Sequence, residues 1–323
     1  MGSLRVRQTF LATAAACGLA VALPAGATAA EATFGFSGWA VGYLPTAIAI
    51  ERLNEMGHDI EIVELGGNSN QLQAAASGAI DITVLAQVMD AIDQGFDSRM
   101  FMAANTNEFL MVGRAELEGC DSLAGQDVAI HSVSSFVGQL TLQWMEAECP
   151  DVEANILVIE GSENRLAALL AGQIDASPVD LQDWALLQRE RPGEFAVTED
   201  FTESVPILRA AFAAQQSFIA ENPDLIRDWI SVHLDVYQEI YENPQLLIDK
   251  GEELLGEIDP EVLPDIVNAF IEARIWPTDG DLSDESVQQT IDFFNNDGEP
   301  YATIESPDDV VDRTLLDEVL ANR

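Results

Sequence analysis

Apolar positions along this chain fall into two kinds of segment. Short apolar runs of strand length occupy residues 33–37, 60–65, 82–85, 101–105, 109–114, 127–130, 154–159, 195–197 and 207–213, each ended by a glycine, proline or polar turn. Between them lie stretches with apolar residues at helical spacing, at 45–56, 88–93, 136–148 and from Asp180 to about Arg191. From Ser217 onward the pattern is helical throughout. Asn222-Pro223, Asn243-Pro244, Asp259-Pro260 and Ser306-Pro307 punctuate it, since proline suits the first helical turn.

One segment occurs twice. Residues 67–81, GNSNQLQAAASGAID, return 94 positions later as residues 161–175, GSENRLAALLAGQID. Seven of the fifteen positions are identical: Gly67/Gly161, Asn70/Asn164, Leu72/Leu166, Ala74/Ala168, Gly78/Gly172, Ile80/Ile174 and Asp81/Asp175. Both follow an apolar run and a glycine turn. Each copy therefore predicts strand, turn, helix and the start of a further strand, with a glycine ending the helix in the left-handed region. Two such units predict two similar α/β lobes.

The first 30 residues read as an export signal. Arg5 and Arg7 precede an apolar stretch, 10–23, that is too short to span a bilayer, and Ala27-Thr28-Ala29 and Thr28-Ala29-Ala30 both offer small-x-small cleavage sites. Lipid attachment at Cys17 is the less favoured alternative, because no leucine stands in the usual place before it.

Charge narrows the partners. The chain carries 14 basic and 56 acidic residues, a net charge of −42. That balance excludes nucleic acid, whose binding needs clustered Lys and Arg, and it disfavours anionic lipid. The acids are scattered rather than gathered in one tail. They suit a surface in saline surroundings, where the Debye length falls to about 3 Å at 1 M salt. Beyond the leader, Cys120 and Cys149 are a possible disulfide in an exported protein. Neither they nor His58, His131 and His233 have metal-ligand spacing, so no metal and no cofactor is expected.

Three motifs carry a family resemblance: L-x-A-x-x-x-G-x-I-D (residues 72–81), S-L-A-G-Q-D-V-A-I (122–130) and F-I-A-E-N-P-D-L-I (218–226). In this order, behind a signal peptide, they resemble the exported substrate-binding proteins of ABC importers in the nitrate/sulfonate/taurine (SsuA/THI5-like) group. The resemblance covers nearly the whole mature chain. It implies an α/β, two-lobe periplasmic binding protein fold of type II, with a hinge of two crossing strands and C-terminal helices packed on lobe one. It implies a monomer that closes on one small solute and delivers it to a membrane permease with its ATPase. The chain has no G-x-x-x-x-G-K-[ST] loop and is not that ATPase. The expected division is 1–30 leader, 31–114 first part of lobe one, 115–206 lobe two, and 207–323 second part of lobe one with the C-terminal helices.

Ligands of open α/β sheets sit beyond the carboxyl ends of strands, where helix N-termini offer free N–H groups. Six turns qualify. Ser37, Trp39 and Tyr43 follow the first strand; Trp39 could equally fill core. Asn68 and Ser69 open the first repeat helix, as caps or as anion donors. Gln87 begins the next helix, as cap or as donor to a ligand. Asn105 lies near the expected hinge, where a turn role competes with contact. Ser134, Ser135 and Phe136 form the turn at which the resemblance places ligand contacts. Asp180 is either the N-cap of its own helix or a carboxylate for a solute's ammonium group.

These turns hold no Arg or Lys, which weakens the case for a bare anion and favours a zwitterion such as taurine, or else an organic cation or a thiamine-pyrimidine precursor. A subunit that presents its ligand to a membrane sensor is a further alternative. No nucleophile–base motif is present, so no enzyme is expected. Fungal-type pyrimidine synthases resemble the same fold but carry a cysteine-rich motif absent here.

Overall fold

The computed structural model describes residues 31–133, 135–295 and 300–323. The leader, Cys17 and Ser134 lie outside the described residues. The first lobe begins with β1 (Glu31–Phe36), α1 (Leu44–Glu55), β2 (Asp59–Glu64), α2 (Asn68–Ser77), β3 (Ile82–Val84), α3 (Val88–Asp93) and β4 (Ser98–Thr106). The chain then builds β5 (Phe109–Arg114), β6 (Asp127–Ile130), α4 (Phe136–Glu148), β7 (Asn155–Val158), α5 (Ser162–Leu170), β8 (Ala176–Asp180), α6 (Leu181–Glu190), β9 (Phe195–Asp200) and the single turn α7 (Phe201–Ser204). It continues with β10 (Leu208–Gln215), α8 (Gln216–Glu221), α9 (Pro223–Glu242), α10 (Gln245–Leu254), α11 (Leu263–Ala273), α12 (Asp284–Asn295) and α13 (Thr314–Ala321).

Among the described residues the strands form two five-stranded sheets, ordered β2-β1-β3-β10-β4 and β7-β6-β8-β5-β9. The two have one plan. In each, a parallel trio is followed by two antiparallel strands, and the first of these is the strand entered just after the chain crosses between lobes. This is the expected two-lobe α/β fold.

The repeat has the same mechanics in both lobes. Asp81 accepts the Thr33 N–H of β1 at 2.8 Å, and Asp175 accepts the Asp127 N–H of β6 at 3.0 Å. The backbone N–H groups of the two aspartates return to the carbonyls of those same residues. Asn70 and Asn164 each donate back to the turn before their helix, to Leu65 O at 2.9 Å and Glu160 O at 2.8 Å. Gly78 and Gly172 stand at φ of 69° and 65°, where a side chain would be strained. Identical residues are kept where the backbone makes the same turn.

Lobe one packs on α9, whose Trp229 meets Phe34 and Phe212 of the sheet, whose His233 meets Phe212, and whose Tyr237 stacks edge-on against His233. His233 is fully buried and donates from Nδ1 to Trp229 O at 2.8 Å. Burial lowers its pKa to about 3, so it stays neutral. In lobe two Cys120 and Cys149 form a disulfide, Cα atoms 5.8 Å apart, tying the loop before β6 to the end of α4. Among the described residues no helix is long and apolar enough to cross a membrane.

The expected exit from lobe one near Arg114 is corrected. β5 pairs with β8 and β9, so Phe109–Arg114 belongs to the second sheet and the first crossing lies between Thr106 and Phe109. The strand's apolar pattern is the same whichever sheet receives it, and pairing decides. The second crossing lies between Ser204 and Leu208. Asn107 fastens the two together. Its N–H donates to Ile207 O at 3.0 Å, and its side-chain amide donates to Phe201 O at 3.0 Å and Val205 O at 3.2 Å. Its Oδ1 accepts the Phe109 N–H at 3.2 Å.

The C-terminal helices pack on lobe one, and two of them also reach lobe two. α11 lies against α6, where Arg189 meets Glu261 O at 2.8 Å and Asp265 Oδ2 at 3.1 Å. The end of α12 places Phe293 in the second lobe's core beside Phe136.

Replacing the fully buried Asn107 with Ala should cost roughly 2–4 kcal/mol, because three hydrogen bonds go and buried carbonyls lose their donor. Urea unfolding with an unchanged slope and a lower midpoint is the expected result.

Candidate functional site

A cavity of 190 Å³ lies between the lobes beside the crossings. Larger hollows exist, one of 810 Å³ beside the disulfide and others of 340–360 Å³ along the lobe–lobe seam, but all are more open to solvent. The inter-lobe cavity is the one where strand ends and helix starts converge.

Five sequence candidates line it: Ser37, Tyr43, Asn68, Asn105 and Asp180. Ser37 follows β1 directly, Asn68 is the exposed first residue of α2, and Asp180 ends β8 and caps α6. Asp180 Oδ1 accepts the Asp183 N–H at 2.8 Å, so the residue is a helix cap and a cavity wall at once. Asn105 is 2% exposed, and its Oδ1 has no hydrogen-bond partner among the described residues. The other candidates stand apart from the cavity wall. Trp39 packs its ring on Phe36 at 4.5 Å, Ser69 is exposed on α2, and Gln87 stands before α3 with Oε1 buried and without a partner among the described residues. Ser135 is occupied locally: its Oγ accepts the Gly138 N–H at 3.1 Å and donates to Ser132 O at 2.8 Å. Phe136 stands behind the wall, where the guanidinium carbon of Arg209 lies 5.2 Å from its ring centre.

Four wall residues escaped the sequence reading: Glu108, Gln182, Arg209 and Phe270. Arg209 supplies the cation that the turns lack. It interrupts the apolar run 207–214, and a charge inside a buried strand was the available signal. Glu108 sits on the first crossing and pairs with Arg209, Oε1 to Nε at 3.5 Å. Phe270 arrives on α11, far along the chain and without any local signal.

The cavity raises the pKa of its acids. Burial takes Glu108 up to about 7, against the pull of Arg209 and with help from Asp180. Burial also raises Asp180, although backbone N–H groups and Arg209 oppose it. Behind it Asp183 rises to about 7 through burial and the nearby Asp180 charge. Tyr43 is raised by burial as well. Arg209 thus pulls on both carboxylates of the cavity, and Arg165 pulls on Asp180 as well.

A raised carboxyl favours the folded state while protonated and loses that advantage as pH rises through its folded pKa. Wild type and Glu108→Gln should therefore melt alike at about pH 3.5, below the ordinary carboxyl value, where Glu108 is neutral in both the folded and the unfolded chain. At pH 8.5, above the pKa of about 7, the variant should melt higher.

Comparison with known proteins agrees with this fold. No curated protein matches the chain. Among solved structures, the periplasmic aliphatic sulphonate binding protein SsuA from Escherichia coli superposes with a TM-score of 0.66 at 14% identity, over 82% of this chain and 91% of that one. The periplasmic nitrate-binding protein NrtA from Synechocystis PCC 6803 gives 0.65 at 14% identity, over 91% and 89%. The desulfurization enzyme DSZB gives 0.61 at 12% identity, over 90% and 99%. Likeness at such identities shows the fold. The family model described as NMT1/THI5 like matches residues 53–246, well over half of the chain, and the chain belongs to that family.

Proposed function

We propose that this protein is the extracytoplasmic solute-binding component of an ABC importer, without catalytic activity of its own. It is exported, acts as a monomer, and delivers one small solute to a membrane permease and its ATPase. The observation that carries the reading is the cavity at the crossings, whose walls come from both lobes. A solute touching Ser37, Asn68 and Phe270 on one side and Asp180 and Gln182 on the other favours the closed arrangement by its differential contacts. The Cys120–Cys149 disulfide suits an oxidising compartment outside the cytoplasm.

The solute is a small zwitterion, a sulfonate with an ammonium group such as taurine. Arg209 and the N-terminus of α2 at Asn68 meet its anionic end; Asp180 and Glu108 meet the ammonium. The cavity of 190 Å³ is of small-solute size. A purely cationic ligand would leave Arg209 with no anion beyond Glu108. A sensor subunit would use the same cavity, and the membrane partner separates that role from import.

The fold also serves an enzyme, DSZB, and so does not decide catalysis. The residues support binding. Cys120 and Cys149 are bonded to each other, and none of the three histidines lines the cavity. His131 accepts the Gly161 N–H on Nδ1 at 3.1 Å, and His58 pairs with Asp228 at 2.9 Å.

Thermal melting of the mature protein in high salt against taurine, alkanesulfonates, nitrate, betaine, amines and thiamine precursors tests the reading. A ligand at 100 times its Kd should add about 2.7 kcal/mol of stability. No shift with any solute, in folded and ligand-free protein, counts against the assignment. Asp180→Asn keeps a capping side chain and should leave the unliganded melting temperature nearly unchanged while weakening binding at least about tenfold. An equal loss of stability would return Asp180 to a purely structural role.

A further inference from the structure

One helix of the first lobe ends inside the second. α12 is fastened to lobe one through its start and middle. Asp284 pairs with Arg313 at 2.6 Å, Thr290 Oγ1 accepts the Leu208 N–H of β10 at 3.0 Å, and Val287 and Ile291 are buried. One turn beyond Thr290, Phe293 leaves that packing. Its side chain is 7% exposed and joins the apolar cluster of α4 and the second sheet. Every other buried member of that cluster lies between Phe109 and Ile207.

α4 supplies the seat. The ring centre of Phe136 lies 5.2 Å from that of Phe293 and 6.3 Å from that of Phe294. Gln143 donates from Nε2 to the Phe293 carbonyl at 3.1 Å, taking up an oxygen that the last turn of α12 leaves without a helical partner. A hollow of 360 Å³ borders the ring beside Leu140, Trp144 and Val205, so Phe293 has free space next to its seat. Phe293 is no part of the solute cavity wall. Yet the guanidinium carbon of Arg209, which is, lies 5.2 Å from the Phe136 ring centre, within reach of a cation–π contact. The cation of the cavity rests on the ring that Phe293 supports.

We propose that Phe293 is a third, non-covalent connection between the lobes and that it favours the closed cleft. The two crossings are covalent and persist at every lobe angle. α12 moves with lobe one, so opening draws Phe293 from its seat, wets its ring and removes the support behind Phe136. Closing buries both rings again. Elsewhere on the seam Arg189 meets Glu261 and Asp265 through partly exposed ion pairs, which salt screens. An apolar seat keeps its strength in salt. Because Phe136 also carries Arg209, the lobe angle and the position of the cavity's cation change together. The inference follows from packing and holds whichever solute the cavity takes.

The test is the distance between nitroxide labels on Ser69→Cys and Glu163→Cys. These are the exposed second residues of α2 and α5, at matching positions of the repeat, one on each lobe. Cys120 and Cys149 are bonded to each other and take no label. Pulsed electron paramagnetic resonance on the ligand-free mature protein reads a short separation for the closed form and a long one for the open form. The short separation should dominate in wild type. Phe293→Ala should raise the ratio of long to short separations at least about tenfold, the effect of one buried phenyl ring. Gln143→Ala, which leaves every aromatic ring in place, should raise it about threefold. Melting curves verify folding; where Phe293→Ala does not fold, Gln143→Ala decides alone. An unchanged distribution in folded Phe293→Ala would overturn the inference and make α12 a fixed pivot. A wild type dominated by the long separation would overturn it as well. The measurement uses no solute, so a failure of taurine to bind bears on the proposed solute and not on this connection.

Discussion

The molecule depends on one buried side chain. Asn107 is fully enclosed, bonds the two crossing segments to each other, and accepts from the first residue of the next strand. Two lobes joined by crossing backbone must satisfy polar groups where the chain leaves both sheets, and an amide can donate and accept there at once. Its neighbours in sequence and space, Asn105, Glu108 and Arg209, are the polar walls of the cavity. The residues proposed to meet a solute are thus fixed at the crossings between the lobes.

The rest of the lobe–lobe contact is less permanent in kind. Arg189 of α6 reaches Glu261 and Asp265 through partly exposed ion pairs, each worth little in water and screened by salt. α6 begins at the cavity with Asp180, and α11 contributes Phe270 to it. Both helices therefore touch the site and each other. The aromatic contact of Phe136 with Phe293 and Phe294 adds apolar burial on another part of the seam.

The surface and the site follow different charge logic. Outside, a net charge of −42 spreads over exposed helix faces, where water and salt screen it. Inside, a single arginine faces two carboxylates whose protonation is displaced upward by burial. The exterior keeps its charge in water; the interior displaces it toward the protonated form.

Much of the fold was legible in the sequence because it is local. The repeat at 67–81 and 161–175 keeps glycine where the backbone turns left-handed and aspartate where a strand N–H needs an acceptor, and those demands are met within a few residues or by one neighbouring strand. The candidate turns at Ser37, Tyr43, Asn68, Asn105 and Asp180 were found for the same reason, being strand ends and helix starts. Tertiary structure decided what the sequence left open. Phe109–Arg114 joins the second sheet because of the partners it meets there. Ser135 spends its hydroxyl on its own helix cap. Arg209, Glu108 and Phe270 reach one cavity from a strand, a crossing and a distant helix. Backbone turns are written in neighbouring residues, whereas a cavity is the space left between residues that are neighbours only after folding.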